Sequence, residues 1–422
     1  MLIIANTLEF NGGSTFILRF SRESLNKGER LGVLVLTNKP EVKLLHEIER
    51  YADVYFLSDF MNPVFQYFDK TPLVGFLPFN ISALAGIFNK HGNKAHVMAV
   101  FGLLWLCRFV KLTGRSVQVS VGVYHQNEFM FSGAEYYFAK EGQRLFKQLG
   151  QDGAVFYNEA NIEAYTRFFN LDFSRASLVP IGIELPSFMG KFTLGDAGAR
   201  RIVSIGNLLN FKSYNSHIIN CMPLLLSIDP AFRYEIYGEG PYDTELRELA
   251  AKRGVTEVVE FRGRIPYSQF SSVLEGAFLF VGSGTAIIEA AAVGVPALIG
   301  IESTKEAITY GFLSDIEGFS YNELEDGRPL FEMADKIKEI LLDEAVWNTV
   351  AASCKNKAKT FSITNTVDGF RSHASRLPLM DRDVVAEYSN LHASISLFFC
   401  SVMHKLGVNR VFADRRNQGT IR

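Results

Sequence analysis

Apolar residues in the first half of the chain fall into short unbroken runs: LIIAN (2–6), LGVLVLT (31–37), DVYFL (53–57), AHVMAV (95–100), VQVSVGVY (117–124), GAVFY (153–157) and SLVP (177–180). Helical spacing fills most of the gaps between them. Runs of strand length without strict alternation predict strands buried on both faces, as in a parallel sheet covered by helices. The first connection reads as a turn at NGG (11–13), then a helix that Ser14 caps and Gly28 ends. The second half repeats the alternation. RIVSIG (201–206), FRYEIYG (232–238), TEVVEFRG (256–263), FLFV (278–281) and ALIG (297–300) read as strands. Helices are expected over 213–228, interrupted near Pro223, and over 243–254 and 267–275.

Beyond Asp326 the pattern turns helical, over 329–344, 345–361, 362–377 and an amphipathic last segment, 384–407. Between the halves, IGIELPSFMGKFTLGDAGAR (181–200) has Pro186, Gly190, Gly195 and Gly198 and no period, so it reads as a linker. The fold class expected is α/β: two Rossmann-like doubly wound domains with a ligand cleft between them, followed by C-terminal helices. The boundaries expected are 1–185, 186–362 and 363–422.

Composition narrows the partners. A chain of 422 residues with 48% hydrophobic residues suits two globular cores, and a net charge of −2 offers no field to recruit nucleic acid. Cys107, Cys221, Cys354 and Cys400 are scattered, with no metal-ligand spacing, and read as reduced thiols. The N-terminus has no basic region or cleavage site, so a cytoplasmic location is expected. The most apolar stretch, 97–110, is shorter than a membrane span and contains Arg108, so it reads as a strand running into a buried helix. From Lys405 onward five basic residues face one acidic residue, and a solvated tail, a packing helix and peripheral contact with anionic membrane are all open.

The chemistry centres on VGSGTAIIEAAAVGVPALIGIES (281–303): a buried strand, a glycine loop at Gly282 and Gly284, a helix beginning near Thr285, and a second strand. Glycines let the backbone approach an anion, and the helix start at Gly284, Thr285 and Ala286 presents unpaired N–H groups and a positive dipole end. Glu289 is a lone carboxylate on an apolar helix, so it needs a partner.

Four ordered segments, SIGNLLNFKSYN (204–215), YEIYGEGPYDTEL (234–246), VEFRGRIPYSQF (259–270) and GTAIIEAAAVGVPALI (284–299), resemble the GT-B glycosyltransferases of family 4, which are retaining and nucleotide-sugar dependent. NGGSTFILRF and VGVYHQNEF look like that family's acceptor domain. IGIES followed by TYGFLSDIEGFSYNE is similar to enzymes that assemble bacterial capsular or O-antigen polysaccharide.

The resemblance implies a hexosyltransferase moving sugar from a nucleotide donor to a growing, lipid-linked glycan with retention, without a required cofactor or metal. It places the donor at Gly206, Asn207, Lys212, Gly263, Arg264, Ile265, Gly282, Gly284, Thr285, Ala286 and Glu289, with Gly12 and Gly13 on the acceptor-side domain. Lys212 is the cation for phosphate, Glu289 accepts from ribose hydroxyls, and His125 faces the donor sugar or reacting centre.

Bland readings stay open beside these: a surface lysine, a helix-to-helix salt bridge for Glu289, and a core histidine. Glu128 reads either as an acceptor-side carboxylate or as a surface residue, and Asp381 and Asp383 as solvated. Two departures from the family pattern stand out. Val281 occupies the place of the first of two glutamates, and Asn207 that of a frequent Arg. The alternatives are a catalytically silent nucleotide-sugar-binding subunit and another GT-B activity, such as a nucleotide-sugar epimerase or a phosphorylase.

Overall fold

The computed structural model describes residues 1–9, 11–133, 135–186 and 200–415. Most of the expected linker and the last seven basic-tail positions lie outside these residues. The chain divides into two compact units, Met1–Gly182 with Ile363–Arg422, and Ile183–Ser362.

The first unit is built on β1 (Leu2–Ala5), β2 (Leu31–Val35), β3 (Ala52–Phe56), β4 (Lys94–Val97), β5 (Val117–Gly122), β6 (Ala154–Phe156) and β7 (Ser177–Leu178). These strands are parallel in the order β3-β2-β1-β4-β5-β6-β7. The sheet is covered on both faces, which is why its strands read as unbroken apolar runs. Leu2 and Ile4 enter one core with Leu34, Val97 and the helix Val100–Thr113, while Ile3 and Ala5 enter another with Val33, Phe16 and Phe370. The stretch 97–110 is the end of β4 running into that buried helix. Its Arg108 is accommodated by donating to the carbonyls of Gly75 and Leu77 at 3.0 and 2.6 Å.

Capping differs from the expected pattern. The first helix is Gly12–Asn26, and its cap is Asn11, whose Oδ1 accepts the Ser14 N–H at 3.0 Å. Ser14 is buried in the first turn instead of preceding it. Gly28 follows the helix at φ 84°, a conformation that favours glycine.

The C-terminal segment belongs to the first unit. The helix Asn390–Lys405 buries Ala393, Leu397 and Cys400, and Leu379–Met380 pairs antiparallel with the start of β5. Residues 411–415 of the basic tail pack against the first unit, while 405–410 are exposed. Phe412 lies against Phe101, Phe131 and Phe138, with ring centroids 4.7–6.0 Å apart. Arg415 reaches Glu128 at 3.0 Å. Among the described residues no helix is long and apolar enough to cross a membrane.

The second unit carries β8 (Arg200–Ile205), β9 (Phe232–Tyr237), β10 (Val259–Gly263), β11 (Leu279–Gly282) and β12 (Ala297–Ile299), parallel in the order β10-β9-β8-β11-β12. The strand expected at 256–263 begins only at Val259. The helix expected at 267–275 is a 3-10 turn, Tyr267–Gln269, and one helical turn, Phe270–Val273. Pro223 sits inside the helix Tyr214–Ile228.

Candidate active site

Strand order in the second unit reverses between β8 and β11, and ligands of open α/β sheets bind beyond the carboxyl ends of strands at such a point. Close approach of the loops there requires glycine. Gly206 N donates to Tyr237 O at 2.9 Å and Gly238 N to Gly263 O at 2.8 Å, and a Cβ on Gly238 would overlap the Gly206 carbonyl. After β11 the helix Gly284–Val293 begins, with Ser283 at its cap position. Gly284 has φ 63°, and a Cβ there would point into open space. Its N–H donates to Asn322 Oδ1 at 2.8 Å, and its carbonyl accepts from the Tyr321 hydroxyl at 3.0 Å. The N–H groups of Thr285 and Ala286 are the remaining donors of the first turn, and both residues are half-buried.

The Ser283 side chain does not cap its own helix. It donates to Glu302 Oε1 at 2.7 Å. Glu302 follows β12. Burial raises its carboxyl above the usual range, while the neighbouring Lys212 ammonium and the Ser283 hydroxyl oppose the shift. Lys212 lies in the loop after β8, and a Cβ on Gly206 would sit 3.5 Å from its Nζ. Beneath them Tyr214 is fully buried. Its hydroxyl is pushed up by burial and by Glu302, and held back by Lys212 and Ser283. The result is a half-buried cation beside a helix start, on a scaffold of hydroxyls and one carboxylate.

Gly206, Lys212, Gly282, Gly284, Thr285 and Ala286 therefore gather at one switch point. Asn207 is exposed on the same loop. Gly263, with φ 70°, ends β10, and Arg264 and Ile265 follow it, two strands from β8. Glu289 is buried on the glycine-loop helix, near Tyr321, whose hydroxyl is pushed up by burial first, then by Glu323 and Glu302, with a smaller part from Glu289. Val281 is fully buried in β11, and its carbonyl accepts from Ser204 Oγ at 2.7 Å. Val281 offers no carboxylate to the loop.

In the first unit, Gly12 and Gly13 form the opening turn of the helix after β1, beside the β1/β4 order reversal. A Cβ on Gly13 would lie 3.3 Å from Asn11 Oδ1 and 3.6 Å from the Met98 methyl, so the turn is tight. His125 follows β5 and is half-buried. Its Nδ1 accepts the Asn127 N–H at 3.1 Å, which places the neutral ring's proton on Nε2 and makes that edge a donor.

Glu128 is not a surface residue. It is 1% exposed and accepts from Val100 N at 2.9 Å and from Arg415, so its carboxylate is committed to the fold. Asp381 Oδ1 accepts from the Asp383 and Val384 N–H groups, both at 3.1 Å, and closes a turn. Sequence reasoning gave no role to Glu302, Ser283, Tyr214 or Asn322. A carboxylate just past the carboxyl end of β12 was the available signal for Glu302.

Residues 192–360 match the family described as Glycosyl transferases group 1. A putative colanic acid biosynthesis glycosyltransferase, WcaL of Escherichia coli, is 29% identical over 149 residues, 32% of this chain. The alignment spans 36% of that relative, so the chain matches only about a third of its length. Two solved structures align along nearly the whole chain. Anabaena HepE, in complex with UDP and glucose, has a TM-score of 0.59 at 15% identity, covering 89% of this chain and 100% of its own. TarM of S. aureus, in complex with fondaparinux, alpha-GlcNAc-glycerol and UDP, has a TM-score of 0.60 at 12% identity, covering 88% and 99%. The segment 192–360 is thus similar to the glycosyl transferases group 1 family, and the chain has the α/β fold of the GT-B glycosyltransferases.

Proposed function

We propose that the protein is a glycosyltransferase that transfers a hexose from a nucleotide-sugar donor to a growing, lipid-linked polysaccharide or glycolipid, with retention at the anomeric carbon. The observation that carries this reading is that Lys212 and Ser283, the cap position of the Gly284–Val293 helix, both act on Glu302 at the β8/β11 switch point. Cleavage of the anomeric C–O bond leaves negative charge growing on a diphosphate. Fixed N–H donors and an ammonium stabilise that charge as it forms, without a required metal. Glu289 accepts from the ribose hydroxyls, Gly263, Arg264 and Ile265 present backbone to the base, and His125 donates from Nε2 toward the sugar. The leaving phosphate takes the acceptor hydroxyl's proton, so the reaction runs without a protein base.

Calorimetry with nucleoside diphosphates and their sugars tests the donor class, and Glu289→Gln is expected to weaken nucleotide binding about tenfold. Unchanged affinity in that variant removes the ribose role. An inverted anomer in the product, read by NMR, removes retention.

The buried Val281 favours a second reading, a catalytically silent nucleotide-sugar-binding subunit, because no carboxylate reaches the loop from that position. Donor binding with no transfer or hydrolysis across a broad acceptor panel would select it.

A further inference from the structure

The helix Asn390–Lys405 packs only one face. Ala393, Leu397 and Cys400 point into the first unit. On the opposite face Leu391 is 66% exposed, Ile395 45%, Phe398 55%, Phe399 56% and, just past the end, Leu406 69%. At 100° per residue these five positions fall within one stripe about a third of the circumference wide. Val408 is also half exposed. Single exposed apolar residues are ordinary on a protein surface, but a stripe with two adjacent phenylalanines along ~24 Å of helix is not.

Charge selects what covers it. No Asp or Glu occurs between Glu387 and Asp414, whereas Lys405 lies at the end of the stripe and His392 is exposed at its edge; Arg410, beyond the helix, is ion-paired to Asp414. A second copy of the same face would bring no carboxylate to meet Lys405. An anionic bilayer surface supplies both an apolar layer and phosphate charge, and interfacial helices have this distribution. We infer that the outer face of Asn390–Lys405 is a membrane-docking surface. It lies flat on an anionic leaflet, with Leu391, Ile395, Phe398, Phe399 and Leu406 at the acyl boundary and Lys405 among the headgroups. The surface uses none of the residues proposed to bind the nucleotide, so its test is independent of the proposed activity.

The purified full-length chain is sedimented with vesicles of phosphatidylethanolamine and phosphatidylglycerol, and with vesicles of phosphatidylcholine alone. Wild type is expected to pellet with the anionic vesicles, less so as salt rises. Phe398→Ser with Phe399→Ser is expected to lower partitioning about tenfold without moving the thermal midpoint, because both rings are already more than half exposed. Lys405→Glu keeps the stripe and is expected to lose the preference for anionic lipid. Wild type remaining in the supernatant at low salt overturns the inference, as does a double phenylalanine variant that binds like wild type. So does a dimer that the double variant dissolves while neither form binds vesicles, which would show that a second copy covers the face.

Discussion

At the scale of single residues, Lys212 and Glu302 share one environment with opposite consequences for stability and function. Lys212→Ala removes the cation at the helix start and is expected to lower kcat by about a hundredfold, the size of losing one transition-state charge partner. Near-normal turnover would return Lys212 to an ordinary loop lysine. Glu302 has its carboxyl raised above the unfolded value, first by burial and against the pull of Lys212 and Ser283. The sign follows from linkage: a raised carboxyl favours the fold fully below its unfolded pKa, and that contribution is lost as pH rises through the folded value. The charged form is therefore a liability above the folded value, and Glu302→Gln is expected to hold or raise the thermal midpoint. The same change removes the charge beside Lys212 while its amide oxygen can still accept from the Ser283 hydroxyl, so turnover is expected to fall while the fold persists. A lower midpoint with unchanged turnover would make Glu302 a structural residue only. Lys212 was legible in the sequence because NFKSYN resembles a family pattern. Glu302 was not, since a lone carboxylate after a short strand carries no period and its hydroxyl partner lies nineteen positions away.

At the scale of elements, the strands were legible and the docking of helices was not. Unbroken apolar runs report burial on both faces, and every parallel strand of the two sheets lies on or overlaps an expected run, whereas the antiparallel Leu379–Met380 strand was not expected. Helical period reports that one face is apolar without saying what covers it, so the C-terminal segment was open to solvated, packed and lipid-facing readings. Its packed part is anchored by Arg415, whose guanidinium holds the buried Glu128 and lies 4.1 Å over the Phe412 ring. Asn127 Nδ2 also donates to the Arg415 carbonyl at 2.9 Å. Removing one partner of a buried pair leaves a poorly compensated charge. Arg415→Ala is expected to destabilise the protein by about 3 kcal/mol in urea unfolding, and Glu128→Gln combined with it to recover part of the loss. A single-variant cost of a few tenths of a kcal/mol would place the anchor in Phe412 alone.

At the scale of the whole chain, the first unit is closed by a segment that leaves it at Gly182 and returns at Ile363, and two buried histidines lie along that return. His373 Nδ1 meets Ser177 Oγ of β7 at 2.7 Å, and Arg376 donates to the same hydroxyl. His96 in β4 contacts Ser120 at 2.9 Å and Tyr124 at 2.8 Å and lies edge-on to Phe370 of the returning helix. Burial, with His373 adding to it, lowers His96 to about 3. Burial, then Arg376, against a pull from Asp152, lowers His373 to about 4. Both are bases held neutral in the fold, so the unfolded chain takes up protons first as pH falls. Their contribution is fully present above the unfolded value of 6.5 and drains away between there and the folded values. At pH 5 each is expected to have cost about 2 kcal/mol, concentrated where the C-terminal segment rejoins the sheet. Urea unfolding at pH 7.5 and pH 5 measures the loss, and His96→Gln is expected to remove about 2 kcal/mol of the difference whatever its effect at pH 7.5. Equal pH-dependent losses in variant and wild type would assign the acid sensitivity to carboxylates elsewhere and leave the return segment without a titrating latch.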